Sequence, residues 1–259
     1  MLELAHGPLR DRWRPPNYHA DVAALLPGLA THGLIDTSNR YELQDAVVRN
    51  KRRYESSDAI EGEPLLANSG PVSARLENAL RFLVDEKPGF FSRLQGRFRG
   101  ITLVDLGAGD SWHGHTVASM LGCAGYVAAE PYHAVNLNEN LRDNSDHLER
   151  RHREGKAPMP VPWAVIPEDM RTLLNRVTPN TISVMATGID HYILSPQYAA
   201  EVVSQMSRTI HNDGAGIFLG SAILGWSLAD SGEFWEHQAT PTDPEDPFSV
   251  ASYLVMRLP

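Results

Sequence analysis

Over the first hundred residues, apolar positions recur at three- and four-residue spacing, most clearly along 21–32 and 72–84, with no sustained alternation of period two. That spacing places one apolar face on a helix. Breaks at Pro27-Gly28, Gly33, Thr37-Ser38-Asn39, Gly62-Glu63-Pro64, Ser69-Gly70-Pro71 and Lys87-Pro88-Gly89 divide the region into about four short helices. From Ile101 the pattern changes to short apolar runs rich in β-branched residues, alternating with amphipathic stretches. Strands are predicted at 101–106, 125–130, 161–166, 181–186 and 214–220, and helices near 114–121, 134–150, 168–177 and 196–211. Such alternation builds a parallel sheet through right-handed βαβ crossovers. The polar, proline-bearing stretch 151–160 reads as a loop within this unit.

Two further strands are expected at 234–240 and 248–258. The segment from Pro241 to Pro247 between them is too short for a helical crossover, so they should pair antiparallel. The expected fold is α/β: a doubly wound, mostly parallel sheet ending in an antiparallel β-hairpin. A helical cap over residues 1–99 should precede this sheet domain of residues 100–259.

Composition narrows the function classes. Hydrophobic residues make up 42% and charged residues 21% of the 259, as in a folded globular protein. No apolar run approaches the roughly 18 residues needed to span a bilayer, and the N-terminus with Glu3, His6 and Arg10 lacks a signal peptide's apolar segment. The cytoplasm is the expected location, with no membrane partner. Cys123 is the single cysteine; in a small-residue turn it reads as a packed hydrophobe rather than a nucleophile. Of the net charge of -9, residues 1–100 contribute 14 Lys and Arg against 13 Asp and Glu, leaving 9 against 19 for the remainder. That balance speaks against nucleic acid as the primary substrate. The basic stretch Arg49-Asn50-Lys51-Arg52-Arg53-Tyr54 reads as a solvated helix face.

The strongest local signal is Leu103-Val104-Asp105-Leu106-Gly107-Ala108-Gly109, an apolar strand that ends in two glycines and enters a helix. In a dinucleotide fingerprint the third glycine would fall at 112, where this chain has the bulky Trp112. NAD is therefore disfavoured, and a ligand with an amino-acid group and a ribose but no pyrophosphate suits the turn better. About twenty residues on, the second strand ends in Glu130, placed to accept hydrogen bonds from both ribose hydroxyls. Asp110, His113 and His115 contain metal-ligating residue types, but 113 and 115 are two apart on a helix and point away from each other. No metal site is expected.

These residues resemble the class I S-adenosylmethionine-dependent methyltransferases, whose first motif ends a strand with an acidic residue and then G-x-G, as Asp105, Gly107 and Gly109 do. The family's frequent third glycine is Ser111 here, with Gly114 further on. The resemblance implies that Asp105, Gly107, Ala108 and Gly109 form the methionine-binding turn and that Glu130 holds the ribose. It further implies that Pro131 and Tyr132 flank the adenine, that Asp169 accepts from the adenine amino group, and that Met170 packs on the ring. Asp169 is equally a helix first-turn acid with no nucleotide role. After the fourth strand, Thr187 and the pair Asp190-His191 occupy the lip of the family's active site. His191 has an intrinsic pKa suited to a general base, with Asp190 as an orienting carboxylate; a packing role for His191 stays open. The family's Asn-Pro-Pro-Tyr-type motif for amide or exocyclic amine nitrogen is absent.

The resemblance thus implies an S-adenosylmethionine-dependent methyltransferase acting on an oxygen or nitrogen of a small molecule under the N-terminal helices. A cofactor-binding regulator without transfer activity and a nicotinamide-dependent oxidoreductase are the alternatives. The oligomeric state stays open, a homodimer among the options.

Overall fold

The computed structural model describes residues 18–30, 33–55, 70–189, 194–232, 234–239 and 252–257. Four N-terminal helices, α1 (Tyr18–Leu25), α2 (Arg40–Glu55), α3 (Gly70–Glu86) and α4 (Pro88–Phe98), precede the sheet. There follow β1 (Thr102–Leu106), α5 (His113–Leu121), β2 (Gly125–Ala129), α6 (Ala134–Arg153), β3 (Trp163–Ile166), α7 (Met170–Arg176) and β4 (Ile182–Thr187). The chain continues through α8 (Pro196–Thr209), β5 (Ala215–Leu219), α9 (Ala222–Ala229), β6 (Phe234–Ala239) and β7 (Ser252–Arg257). No described helix is long and apolar enough to cross a membrane.

The seven strands lie in the order β3-β2-β1-β4-β5-β7-β6. The first five are parallel, and β7 inserts between β5 and β6, antiparallel to both. Every residue of β1, β2 and β4 is buried, as a parallel sheet clad by helices on both faces requires. On one face α1, α7, α8 and α9 pack on alternate strand residues such as Val104, Val127 and Val184. On the other, α3, α4, α5 and α6 pack on Leu103, Tyr126 and Met185.

Packing continues across residue 100. The Tyr18 hydroxyl donates to the Val165 carbonyl at 2.7 Å, and the Thr102 hydroxyl donates to Leu25 O at 2.6 Å. Leu25 sits so close to β2 that a Cβ on Gly125 would lie 2.1 Å from its Cδ2. Thus α1 is a layer of the sheet domain. In α4, Leu94 and Phe98 are buried in the opposite core. Of these four helices, α2 reaches the carboxyl ends of the strands through Asn50 and α3 through Ser73.

The sequence pattern predicts no helix between 220 and 234, yet α9 lies there. Its sequence AILGWSLA is apolar nearly all round, so it lacks the one-sided stripe that marks a surface helix. Helix α1 ends at Leu25, ahead of Pro27 and of Gly28 at φ +81°, because a residue before proline avoids the helical region.

Candidate active site

Strand β1 has β2 on one side and β4 on the other, so the crossovers diverge between β1 and β4. In doubly wound sheets this switch point opens a crevice at the carboxyl ends of the strands, where ligands bind. Three loops meet there. Gly107 follows β1 with φ +72°, and a Cβ on it would lie 2.7 Å from Cδ1 of Ile189, after β4, and 3.9 Å from Cε of Met170, at the start of α7. Its amide donates to the Ala129 carbonyl at 2.9 Å, fixing the turn to the end of β2. Gly109 repeats the left-handed conformation at φ +63°, a region that a side chain disfavours.

The Glu130 carboxylate organises this turn. Its Oε1 accepts from the amides of Tyr132 (2.7 Å) and His133 (3.0 Å), and its Oε2 accepts from the Gly109 amide at 2.8 Å. Burial raises the carboxyl above its usual range, while these amides and His133 oppose the rise. Each carboxylate oxygen offers two acceptor positions. Oε1 uses both, and Oε2, which accepts from the Gly109 amide, keeps an acceptor position for a hydroxyl donor such as a ribose. The left-handed glycine turn and the carboxylate bonded to it are compatible with a nucleoside-bearing ligand.

Asp105 lies elsewhere. It is 2% exposed on the sheet face covered by α5, where its Oδ2 accepts from the Tyr126 hydroxyl at 2.7 Å. Its Oδ1 has no hydrogen-bond partner among the described residues. Burial pushes this carboxyl up to about 7, with the Tyr126 bond opposing and the Glu130 charge adding. Directly above, a Cβ on Gly114 would stand 2.4 Å from Asp105 Oδ2 and 2.7 Å from the Tyr126 hydroxyl. Gly114 thus permits the close helix-to-strand approach that the third glycine of a dinucleotide fingerprint provides. Trp112, 41% exposed, stacks on His113.

Of the predicted adenine-side residues, Pro131 turns its carbonyl toward α2, where Asn50 Nδ2 donates to it at 3.3 Å. Tyr132 lines a groove with α2. Asp169 caps α7, accepting from the Thr172 amide at 3.0 Å and from the Tyr198 hydroxyl at 3.2 Å. The capping role expected of a first-turn acid is what its hydrogen bonds describe. At the lip, the buried Thr187 hydroxyl pairs with Ser73 of α3 at 2.7 Å, and Ile189 N donates to Ser221 Oγ at 3.1 Å. Asp190 and His191 lie outside the described residues.

The histidines near the turn go separate ways. His113 Nδ1 meets Glu77 Oε2 of α3 at 2.6 Å. Burial opposes ionisation of Glu77, but hydrogen bonds from His113 and Arg81 outweigh it and hold the carboxyl below its usual range. His115 is fully buried, with Nε2 donating to the Val161 carbonyl at 2.8 Å and Nδ1 receiving the Asn144 amide at 3.2 Å. Burial drives its pKa down to about 4. Asp110 offers its backbone carbonyl to Asn140 at 2.7 Å. Cys123 is buried and its thiol is pushed up to about 12, which keeps it inert.

Sequence reasoning missed Asn50, Ser73, Glu77 and Tyr126. Tyr126 was visible only as a strand residue, and Asn50 stood inside a basic run whose Arg49, Lys51 and Arg52 are exposed.

The sheet order and the glycine turn define a doubly wound, Rossmann-like sheet that ends in an antiparallel hairpin. No protein-family model and no curated protein sequence matches the chain. Among solved structures it is similar to a TehB-like S-adenosylmethionine-dependent methyltransferase from Corynebacterium glutamicum, at 13% identity over 72% of this chain and 98% of that one, TM-score 0.41. It is similar also to magnesium protoporphyrin IX methyltransferase from Synechocystis with bound S-adenosylmethionine, at 11% identity over 88% of this chain and 99% of that one, TM-score 0.45. A precorrin decarboxylase from Methanobacterium thermoautotrophicum aligns at 12% identity over 67% of this chain and 90% of that one, TM-score 0.42. A fold by itself does not fix chemistry, so function has to be read from the site.

Proposed function

We propose that this chain is an S-adenosylmethionine-dependent methyltransferase whose acceptor is an oxygen or nitrogen of a small molecule. One observation carries the reading: the 2.8 Å bond from the Gly109 amide to Glu130 Oε2 joins the glycine turn to the acid at the end of β2. On this reading Glu130 would accept from the ribose beside a glycine turn that would seat the amino-acid tail. Bound S-adenosylmethionine supplies an electrophilic methyl group on sulfur. The chain's own part is to orient that group and the acceptor in line and to exclude water. In this reading Gly107 and Gly109 shape the floor, Met170 and Ile189 pack against the Gly107 turn, and the Ser73–Thr187 pair fixes α3 across the end of β4. His191 is the proposed base that takes the proton from the acceptor, with Asp190 orienting it. The acidity of residues 101–259, 9 basic against 19 acidic, supports a small acceptor rather than a phosphate backbone.

Calorimetry with S-adenosylmethionine, S-adenosylhomocysteine and NAD checks the cofactor class. Binding of the first two is expected; binding of NAD alone refutes the proposal. A labelled-methyl screen against a metabolite extract and against RNA then locates the acceptor, and transfer to no fraction points instead to a cofactor-binding regulator.

A further inference from the structure

The amide of Asn50 occupies a position that its basic surroundings conceal. Its Nδ2 carries two hydrogens, and these reach two different loops: the Pro167 carbonyl at 2.7 Å and the Pro131 carbonyl at 3.3 Å. Pro131 directly follows Glu130, and Pro167 lies two residues before Asp169. One carboxamide of α2 thus ties the loop after β2 to the loop after β3. In the proposed site, the nucleoside of the cofactor would lie against these loops. Elsewhere along α2 the fit to the first loop is open. Arg40, Gln44, Val47 and Val48 face Tyr132 and His133 across a groove of about 350 Å³.

We infer that Asn50 is a positioning residue for the adenosine half of the ligand, setting the spacing of the Glu130 and Asp169 loops from the N-terminal helix. The inference rests on the proposed S-adenosylmethionine site. Serving both carbonyls takes two N–H donors from one side chain. Aspartate has nearly the same shape but no donor when ionised, and would set its oxygens against the two carbonyls. Because the Tyr132 and His133 amides in the first loop also hold Glu130, slackening the loop loosens the ribose acceptor, which a nucleoside meets with or without an amino-acid tail.

The test uses the full chain with Asn50→Ala, Asn50→Asp and Asn50→Gln. Affinities for S-adenosylhomocysteine and for 5′-methylthioadenosine, which lacks the amino-acid tail, are measured by calorimetry. Loss of two partly buried hydrogen bonds should weaken both ligands by the same factor, about tenfold, in Asn50→Ala and at least as much in Asn50→Asp. Asn50→Gln should recover most of the affinity. In the unliganded variants, hydrogen exchange at the Tyr132 and His133 amides should quicken about tenfold while exchange in β4 and β5 stays unchanged. Unchanged affinity in Asn50→Ala, or an equal loss in Asn50→Gln and Asn50→Asp, overturns the inference. If the unaltered chain binds neither ligand, the proposed function fails instead; the exchange result then still decides whether Asn50 holds the two loops.

Discussion

Replacing Asp105 with asparagine should reveal a pH dependence that the unaltered protein conceals. Burial raises the Asp105 carboxyl from 3.8 to about 7, so the folded chain holds a proton that the unfolded chain releases. Its stabilising contribution is therefore complete below about pH 4 and is lost as pH rises through 7, by about 4 kcal/mol over the full range. His115 acts in the opposite sense. Its pKa falls from 6.5 to about 4, so stability declines as pH drops below 6.5 and the unfolded chain takes up a proton. Between pH 5 and 8 the Asp105 contribution falls by about 2 to 3 kcal/mol and the His115 contribution rises by about 2 kcal/mol. The two nearly cancel. Asparagine keeps an acceptor for the Tyr126 hydroxyl but cannot ionise, so Asp105→Asn should gain about 2 to 3 kcal/mol relative to the parent over that window. Urea unfolding at pH 5 and 8 with a shared m value measures it. The slope is the test, because the asparagine amide also introduces a buried donor that lowers stability at every pH. Parallel profiles for parent and variant would refute the burial argument for this carboxyl.

Other expectations follow from single contacts. Gly114→Ala forces a Cβ to 2.4 Å from Asp105 Oδ2 and should cost about 1 to 3 kcal/mol in thermal or urea unfolding; an unaffected midpoint would show that α5 shifts freely. Glu130→Gln replaces an acceptor of three amides with a group having one oxygen, leaving at least one buried donor facing another. It should cost about 1 to 3 kcal/mol of stability and weaken S-adenosylhomocysteine more than tenfold by calorimetry, whereas retained affinity removes Glu130 from the ribose site. His191→Ala should preserve cofactor affinity and slow methyl transfer by about a hundredfold or more, with unchanged turnover ending its assignment as base.

What the sequence alone determined is the succession of elements. The five parallel strands and the C-terminal hairpin come from local periodicity and turn residues, and the Gly107 and Gly109 turn with Glu130 comes from spacing along one βαβ unit. Such features need no knowledge of distant partners. Helix α9 escaped because a segment apolar all round carries no periodic signal.

The tertiary structure decided what each polar side chain does. The sequence marks Asp105 as a motif acid, but the pleat of β1 turns it beneath α5 toward Tyr126, 21 residues away. Glu130 stands where its spacing predicts, yet its three amide partners arise only when the turn after β1 folds against the loop after β2. Asn50 meets carbonyls 81 and 117 residues distant, a pairing that no local pattern encodes, because the two acceptors are backbone groups with no residue signature. The order of elements is thus a property of neighbouring residues, whereas the state of each buried charge depends on which distant groups the fold sets against it.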